Sequence, residues 1–197
     1  MAHEMRIGDY TVKREDDDEL GHGTSGIVWI GEHRPSGTDV AVKRVELRDE
    51  SVEFGREHNR KYIFNEITIM KSLDHQNVVK LFYSKVKGRF LYMFLELCNN
   101  KDLNKFIKEK KILSKEQSFR FVLQISEALL YLHEHDPVII HRDVKLENLL
   151  VHGDADSNYC IKITDFAFSK QAPQASMVCK STVVGSPNWM APDILYS

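Results

Sequence analysis

The run Gly21-His22-Gly23-Thr24-Ser25-Gly26-Ile27-Val28 spaces three glycines as G-x-G-x-x-G-x-V. Where side chains are missing, backbone amides approach an anion closely, so the pattern predicts a cradle for phosphate oxygens. A helix straight after the glycines would make this a dinucleotide-binding turn. Ile27, Val28, Trp29 and Ile30 favour a strand instead, and the glycines are expected to cap a hairpin. Farther on, Val40-Ala41-Val42-Lys43 alternates, burying Val40 and Val42 on one face and directing Ala41 and Lys43 to the other, beside the glycine turn. A small residue next to a lysine leaves room for a flat base and supplies a cation for its phosphates. Glu66, on a predicted helix, is the partner able to hold that ammonium by an ion pair.

These groups need elements to hold them. Runs rich in β-branched and aromatic residues at 27–30, 40–45, 78–82 and 90–97 lie between clusters of Gly, Pro, Asp and Lys and predict strands. Tyr62, Ile63, Ile67, Met70 and Leu73 recur at helical spacing and predict one amphipathic helix over residues 59–73. The texture changes after Cys98. Asn99, Asn100 and Lys101 have linker composition, and residues 102–110 predict a short helix. Ser114 can then cap a long helix with an apolar stripe of Phe119, Val122, Ile125, Ser126, Leu129 and Leu132, ending near Pro137.

Composition narrows the partners. Among 197 residues, Lys plus Arg number 27 against 29 for Asp plus Glu. That balance gives no global electrostatic case for nucleic acid or a membrane surface, so any phosphate site must be local. With 42% apolar residues the chain can bury one sizeable core or two small ones. Cys98, Cys160 and Cys179 are odd in number and lack C-x-x-C spacing, which argues against a disulfide framework or a zinc site and fits a reducing compartment. No apolar run has the character of a signal peptide or a membrane span, and a cytoplasmic or nuclear location is expected.

The longest constellation is Ile140-His141-Arg142-Asp143-Val144-Lys145-Leu146-Glu147-Asn148-Leu149-Leu150, followed by Ile163-Thr164-Asp165-Phe166-Ala167. With the glycine run and the Val40–Lys43 strand this makes four motifs in one order. The chain resembles the eukaryotic protein kinases, whose glycine-rich loop, V-A-I-K, H-R-D-x-K-x-x-N and D-F-G motifs share that order, from about residue 9 to residue 197. The resemblance implies a bilobal protein-kinase-like α+β fold. Residues 1–98 would be an N-lobe with an antiparallel sheet plus one helix, and residues 99–197 a partial C-lobe, mainly helical and incomplete.

The resemblance further implies ATP and Mg2+ as cofactors, protein Ser/Thr hydroxyls as acceptors, and an upstream activating kinase as a partner. Asp143 would accept or orient the hydroxyl proton, and Asn148 and Asp165 would hold the magnesium ions that bridge the phosphates. Lys43, paired with Glu66, would position the α and β phosphates beneath the backbone of Gly21, His22, Gly23, Thr24, Ser25 and Gly26. Lys145 is what serine/threonine kinases carry two residues after the aspartate, and Ser186, in Gly185-Ser186-Pro187, would bridge Asp143 and Lys145. Adenine would meet Leu95 as gatekeeper and the backbone of Glu96 and Cys98, between Val28, Ala41 and Leu150, with Asp102 on the ribose. Leu81, Met70, His141 and Phe166 would form the hydrophobic column of active kinases. Arg142 and Lys170 match positions that gather a phosphate, and Thr182 is the expected regulatory phosphorylation site, with Ser181 the runner-up.

Three departures bear on these expectations. Ala167 stands where the family has glycine after Asp-Phe, adding a Cβ that penalises positive φ. Asp193 stands where the Ala-Pro-Glu motif has glutamate. The family's later helices follow that motif, so the resemblance implies a chain that is a fragment or is completed by a partner, with the 119–132 stripe short of cover. These features support an alternative, a nucleotide-binding pseudokinase or a regulatory or scaffolding fragment without turnover.

Overall fold

The computed structural model describes residues 4–12, 19–23, 26–47, 60–110, 112–154, 158–172 and 185–190. Its strands are β1 (Met5–Ile7), β2 (Tyr10–Val12), β3 (Glu19–Gly23), β4 (Gly26–His33), β5 (Thr38–Glu46), β6 (Leu81–Lys87), β7 (Phe90–Glu96), β8 (Val138–Ile140), β9 (Leu149–His152), β10 (Cys160–Ile163) and β11 (Lys170–Ala172). Its helices are α1 (Arg60–Ser72), α2 (Leu103–Lys110) and α3 (Lys115–Glu134), with single 3-10 turns at Leu146–Asn148 and Pro187–Trp189. The chain divides into two compact units, residues 1–71 with 80–97, and residues 72–79 with 98–197.

The first unit is an antiparallel sheet ordered β1-β2-β4-β5-β7-β6, with β3 paired to β4. Because side chains alternate along a strand, one face gathers Trp29, Val40, Val42, Tyr92 and Phe94, and β1–β2 add Ile7 and Val12 to this core. Tyr10 lies over Phe94 with ring centroids 4.4 Å apart. Each large apolar side chain fully buried here contributes about 1.5–3 kcal/mol. The register places Val28 opposite Lys43, Ala41 opposite Leu95 and Lys43 opposite Met93, so these five share the other face. Helix α1 meets that face through Glu66, and its Ile63, Ile67 and Met70 are buried.

In the second unit Ser114 caps α3 reciprocally: its hydroxyl accepts from Gln117 N–H at 3.1 Å, and its own N–H donates to Gln117 Oε1. Phe106 of α2 packs edge-on against Phe121 of α3 and against Tyr159. Two short antiparallel pairs, β9–β10 and β8–β11, flank the loop that holds residues 141–148.

The sequence expectations differ from this fold at three places. On α3, Phe121 and Ala128, which lie outside the expected stripe, are buried together with its Leu132, while Phe119 and Val122 are 64% and 59% exposed, in keeping with a stripe short of cover. Apolar residues occupy two faces of that helix, and spacing alone does not say which one meets the core. The expected strand at 78–82 begins at Leu81, because Val78 and Val79 are drawn to Ile163: Val78 forms a parallel bridge with it and Val79 N–H donates to its carbonyl at 2.9 Å. Strands β1, β2 and β8 to β11 carry too few residues to show a period of two.

Candidate active site

In the first unit, β3 and β4 form a hairpin in which Gly23 pairs with Gly26. Thr24 and Ser25 lie outside the described residues. Gly26 has φ +134°, and a Cβ there would fall 2.2 Å from Arg44 O, so both conformation and close approach demand glycine. Lys43 follows on β5, and its Nζ donates to Glu66 Oε1 at 2.9 Å. The two residues are 6% and 3% exposed. A buried ion pair of this kind fixes the ammonium sharply, because removing either partner takes away a charge that offsets the other's desolvation. Val28 and Ala41, both half-buried, lie on the same face as this lysine. Glu96 donates its N–H to Lys80 O, and its carboxylate accepts from Lys80 N–H.

In the second unit Asp143 is 3% exposed and receives donors on both carboxylate oxygens. Oδ1 accepts from Ser186 N–H at 3.0 Å and from Ser186 Oγ–H at 2.8 Å. Oδ2 accepts from Asn148 Nδ2 at 2.9 Å and from Lys145 Nζ at 2.9 Å. Lys145 Nζ also donates to Ser186 Oγ at 2.8 Å, so Asp143, Lys145 and Ser186 close a triangle. Gly185 makes this possible. A Cβ there would lie 2.3 Å from Arg142 O, and only a residue without one lets the Ser186 segment come this close.

Asn148 uses its amide nitrogen twice on Asp143, on the carboxylate and on the main-chain carbonyl, each at 2.9 Å. Its Oδ1 therefore turns the other way. Thr164 N–H donates to Asn148 O at 3.0 Å, which ties Asp165 to this loop at one residue's remove. An amide oxygen and a carboxylate are hard donors, suited to a cation that takes one or two protein oxygens and completes its shell with phosphate and water. No cluster of three or more His, Cys, Asp or Glu that could hold a metal occurs among the described residues.

His141 anchors the loop from below. It is 2% exposed, packs edge-on to Phe166 at 4.8 Å, and lies beside Thr164 O at 3.1 Å through Nε2 and Asp143 N–H at 3.3 Å through Nδ1. One nitrogen faces an acceptor and the other a donor, an arrangement that a neutral ring with Nε2–H satisfies and imidazolium does not. Burial lowers the imidazole's pKa from 6.5, against smaller upward pulls from the Thr164 carbonyl, Asp165 and Asp143. The unfolded chain takes up a proton below that value which the folded chain refuses. Stability is thus fully present above pH 6.5 and falls as pH drops toward the folded value. An NMR titration of the His141 ring is expected to show a midpoint below 6.5; one at or above it would contradict this account.

Ala167 does not take the positive φ that its Cβ would penalise. Positive φ falls instead on Asp165, at +66°, and on Arg142, at +65°, while Ala167 sits in a turn closed by Ser169 N–H on Phe166 O with its methyl buried. The extra Cβ therefore adds no strain here. Ala167→Gly is expected to destabilise the fold by about 1–2 kcal/mol, from added backbone freedom and a lost buried methyl, as read by urea unfolding. A glycine variant as stable as the parent would show that this turn carries hidden strain.

Other predicted positions are placed as follows. Asp102 caps α2, accepting from Lys105 N–H at 2.9 Å through Oδ1 and pairing with Lys105 Nζ at 3.0 Å through Oδ2. Leu150 and the Cys98 thiol are half-buried, and Leu150 bridges Asp102. Arg142 Nε donates to Phe168 O at 2.6 Å, and Lys170 opens β11 opposite Ile140. Met70 and Leu95 are buried in the first unit, where Leu81 is half-buried. Ser181, Thr182 and Asp193 lie outside the described residues. The linker residues are pinned in the second unit: Asn99 Nδ2 donates to Asp154 Oδ1 at 2.7 Å, and Asn100 Nδ2 to Gly153 O at 2.6 Å. Sequence reasoning passed over Gln124 and Asn77, which bind the main chain of β10. Gln124 had a signal, because it is a polar residue on the helix face that carries Phe121 and Ala128.

A sheet with one helix holding a buried lysine–glutamate pair, and a second unit in which a carboxylate, an ammonium and a hydroxyl converge, define the α+β fold of the protein kinase class. Residues 14–197 match the family described as protein kinase domain. The chain is 32% identical to the rat serine/threonine-protein kinase PAK 5 over 181 residues, 90% of this chain and 23% of that protein. It is 35% identical over 177 residues to a probable myosin light chain kinase of Dictyostelium discoideum, 90% of this chain and 43% of that protein. It is 31% identical over 195 residues to serine/threonine-protein kinase ATG1a of Arabidopsis thaliana, 99% of this chain and 29% of that protein. The chain belongs to the eukaryotic serine/threonine protein kinase family, and it spans less than half the length of each of these relatives. No helix among the described residues is long and apolar enough to cross a membrane.

Proposed function

We propose that this chain carries out ATP-dependent phosphate transfer to serine and threonine hydroxyls of proteins. The observation that supports the reading is the Asp143 carboxylate aimed by four donors, with Lys145 beside it and Ser186 between them. In this reading the acceptor hydroxyl gives its proton to Asp143, its oxygen attacks the γ-phosphorus, and ADP departs with the electrons of the broken bond. Lys145 steadies charge on the phosphoryl group in flight. Lys43, locked by Glu66, holds the nucleotide's phosphates, and the amides of residues 21–26 cover them.

Val28, Ala41 and Leu150 would line the adenine, and the backbone of Glu96 and Cys98 would hydrogen-bond it. Asp102 would reach a ribose only through lone pairs that Lys105 leaves over. Mg2+ would be held by Asn148 Oδ1 and Asp165 and would offset charge on the phosphates. The reading is tested by transfer from labelled Mg-ATP to a mixed library of Ser, Thr and Tyr peptides, with phosphoamino-acid analysis. Label on serine and threonine is expected. A folded chain that binds Mg-ATP and transfers nothing would favour the regulatory, non-catalytic alternative that Asp193 suggests.

A further inference from the structure

Strand β10 is four residues long and, among the described residues, has one strand neighbour, β9. Its other edge is closed by groups that belong to no strand. Gln124 Nε2 donates to Tyr159 O at 3.3 Å, and Gln124 Oε1 accepts from Ile161 N–H at 2.6 Å. Asn77 Nδ2 donates to Ile161 O at 2.8 Å and to Gln124 Oε1 at 3.2 Å, while Ile163 N–H donates to Asn77 O at 2.8 Å and Val79 N–H to Ile163 O at 2.9 Å. On that edge the Tyr159 carbonyl and the N–H and C=O of both Ile161 and Ile163 are met, and the glutamine amide, with a donor and an acceptor side by side, stands in for a peptide unit of a missing strand.

We propose that Gln124 is a positioning residue for the metal-binding carboxylate. Asp165 follows two residues after β10 ends, so the register of β10 sets where that carboxylate lies. A two-stranded pair is weak by itself and prone to slip. A slip of two residues, which keeps every side chain on its own face, would move Asp165 by about 7 Å. Gln124 opposes it by gripping both Tyr159 and Ile161 from a helix whose Phe121 and Ala128 are buried on either side of it in sequence. The inference rests on the reading of Asp165 as a holder of Mg2+.

The test uses the full chain, with Mn2+ as the probe, titrated in the presence of ATP and followed by the loss of its free-ion EPR signal. Metal-free ATP binding, thermal unfolding and hydrogen exchange at the Ile161 amide are measured alongside. Gln124→Met, which removes both grips, is expected to weaken Mn2+ binding about tenfold, the size of effect usual for residues that orient a metal ligand, with metal-free ATP binding within about twofold. Gln124→Glu keeps the acceptor for Ile161 and loses the donor to Tyr159, and should weaken Mn2+ binding by only about two- to threefold.

If Gln124→Met does not fold, Gln124→Glu decides by itself, and Mn2+ binding equal to the parent's would overturn the proposal. So would a folded Gln124→Met with faster exchange at Ile161 but unchanged Mn2+ binding, or one that weakens binding with and without metal alike. Asp165→Asn separates the two claims: no effect of that change on Mn2+ binding sinks the reading of Asp165 itself, whereas an effect there without one at position 124 sinks the role of Gln124 alone.

Discussion

With Asp143 replaced by asparagine, phosphate transfer is expected to fall about a thousandfold while Mg-ATP binding stays within about threefold. Asparagine matches the shape but offers one acceptor in place of two. If its oxygen keeps the two Ser186 donors at 3.0 and 2.8 Å, its nitrogen confronts Asn148 Nδ2 and Lys145 Nζ, each now 2.9 Å from another donor. Turning the amide over moves the conflict to Ser186. Either way the group proposed to accept the hydroxyl proton is gone, and stability is expected to drop by about 1–3 kcal/mol for the stranded donors. Single-turnover transfer with labelled ATP, beside a fluorescent-nucleotide titration, reads both effects. A loss under about tenfold would mean that another group takes the proton.

The second large effect is expected at the buried pair of the first unit. Lys43→Met leaves the Glu66 carboxylate 3% exposed without its ammonium, and should cost about 3–5 kcal/mol in urea unfolding. Adding Glu66→Leu should return most of that stability, because two apolar side chains of similar volume replace two charges that were costly to desolvate. Transfer is expected to be lost in the single and the double variant alike. The double variant thereby separates the two roles of Lys43: stability recovered with activity absent assigns it to phosphate binding, whereas activity recovered along with stability would reduce the pair to a structural strut.

These two sites were legible to different depths. Asp143, Lys145 and Asn148 lie within six residues of one another, so a short loop brings them together whatever surrounds it. Lys43 and Glu66 were readable through two periodicities, the alternation of β5 and the helical spacing of α1, which point both side chains at one face. Ser186 is 43 residues from Asp143, and only Gly185 against Arg142 O lets it arrive.

Local chemistry, then, determined by itself the glycine hairpin, the alternating lysine strand, the Ser114 cap and the order of groups in the 140–150 loop, since each depends on φ/ψ preferences and side-chain direction over a few residues. Tertiary structure alone decided which of two apolar faces of α3 is buried, why residues 72–79 join the second unit, that positive φ falls on Asp165 instead of Ala167, and that Gln124 and Asn77 complete the edge of β10. Those outcomes come from pairing between segments far apart in the chain, where burial and hydrogen-bond completion outweigh local preference and leave no periodic trace in the sequence.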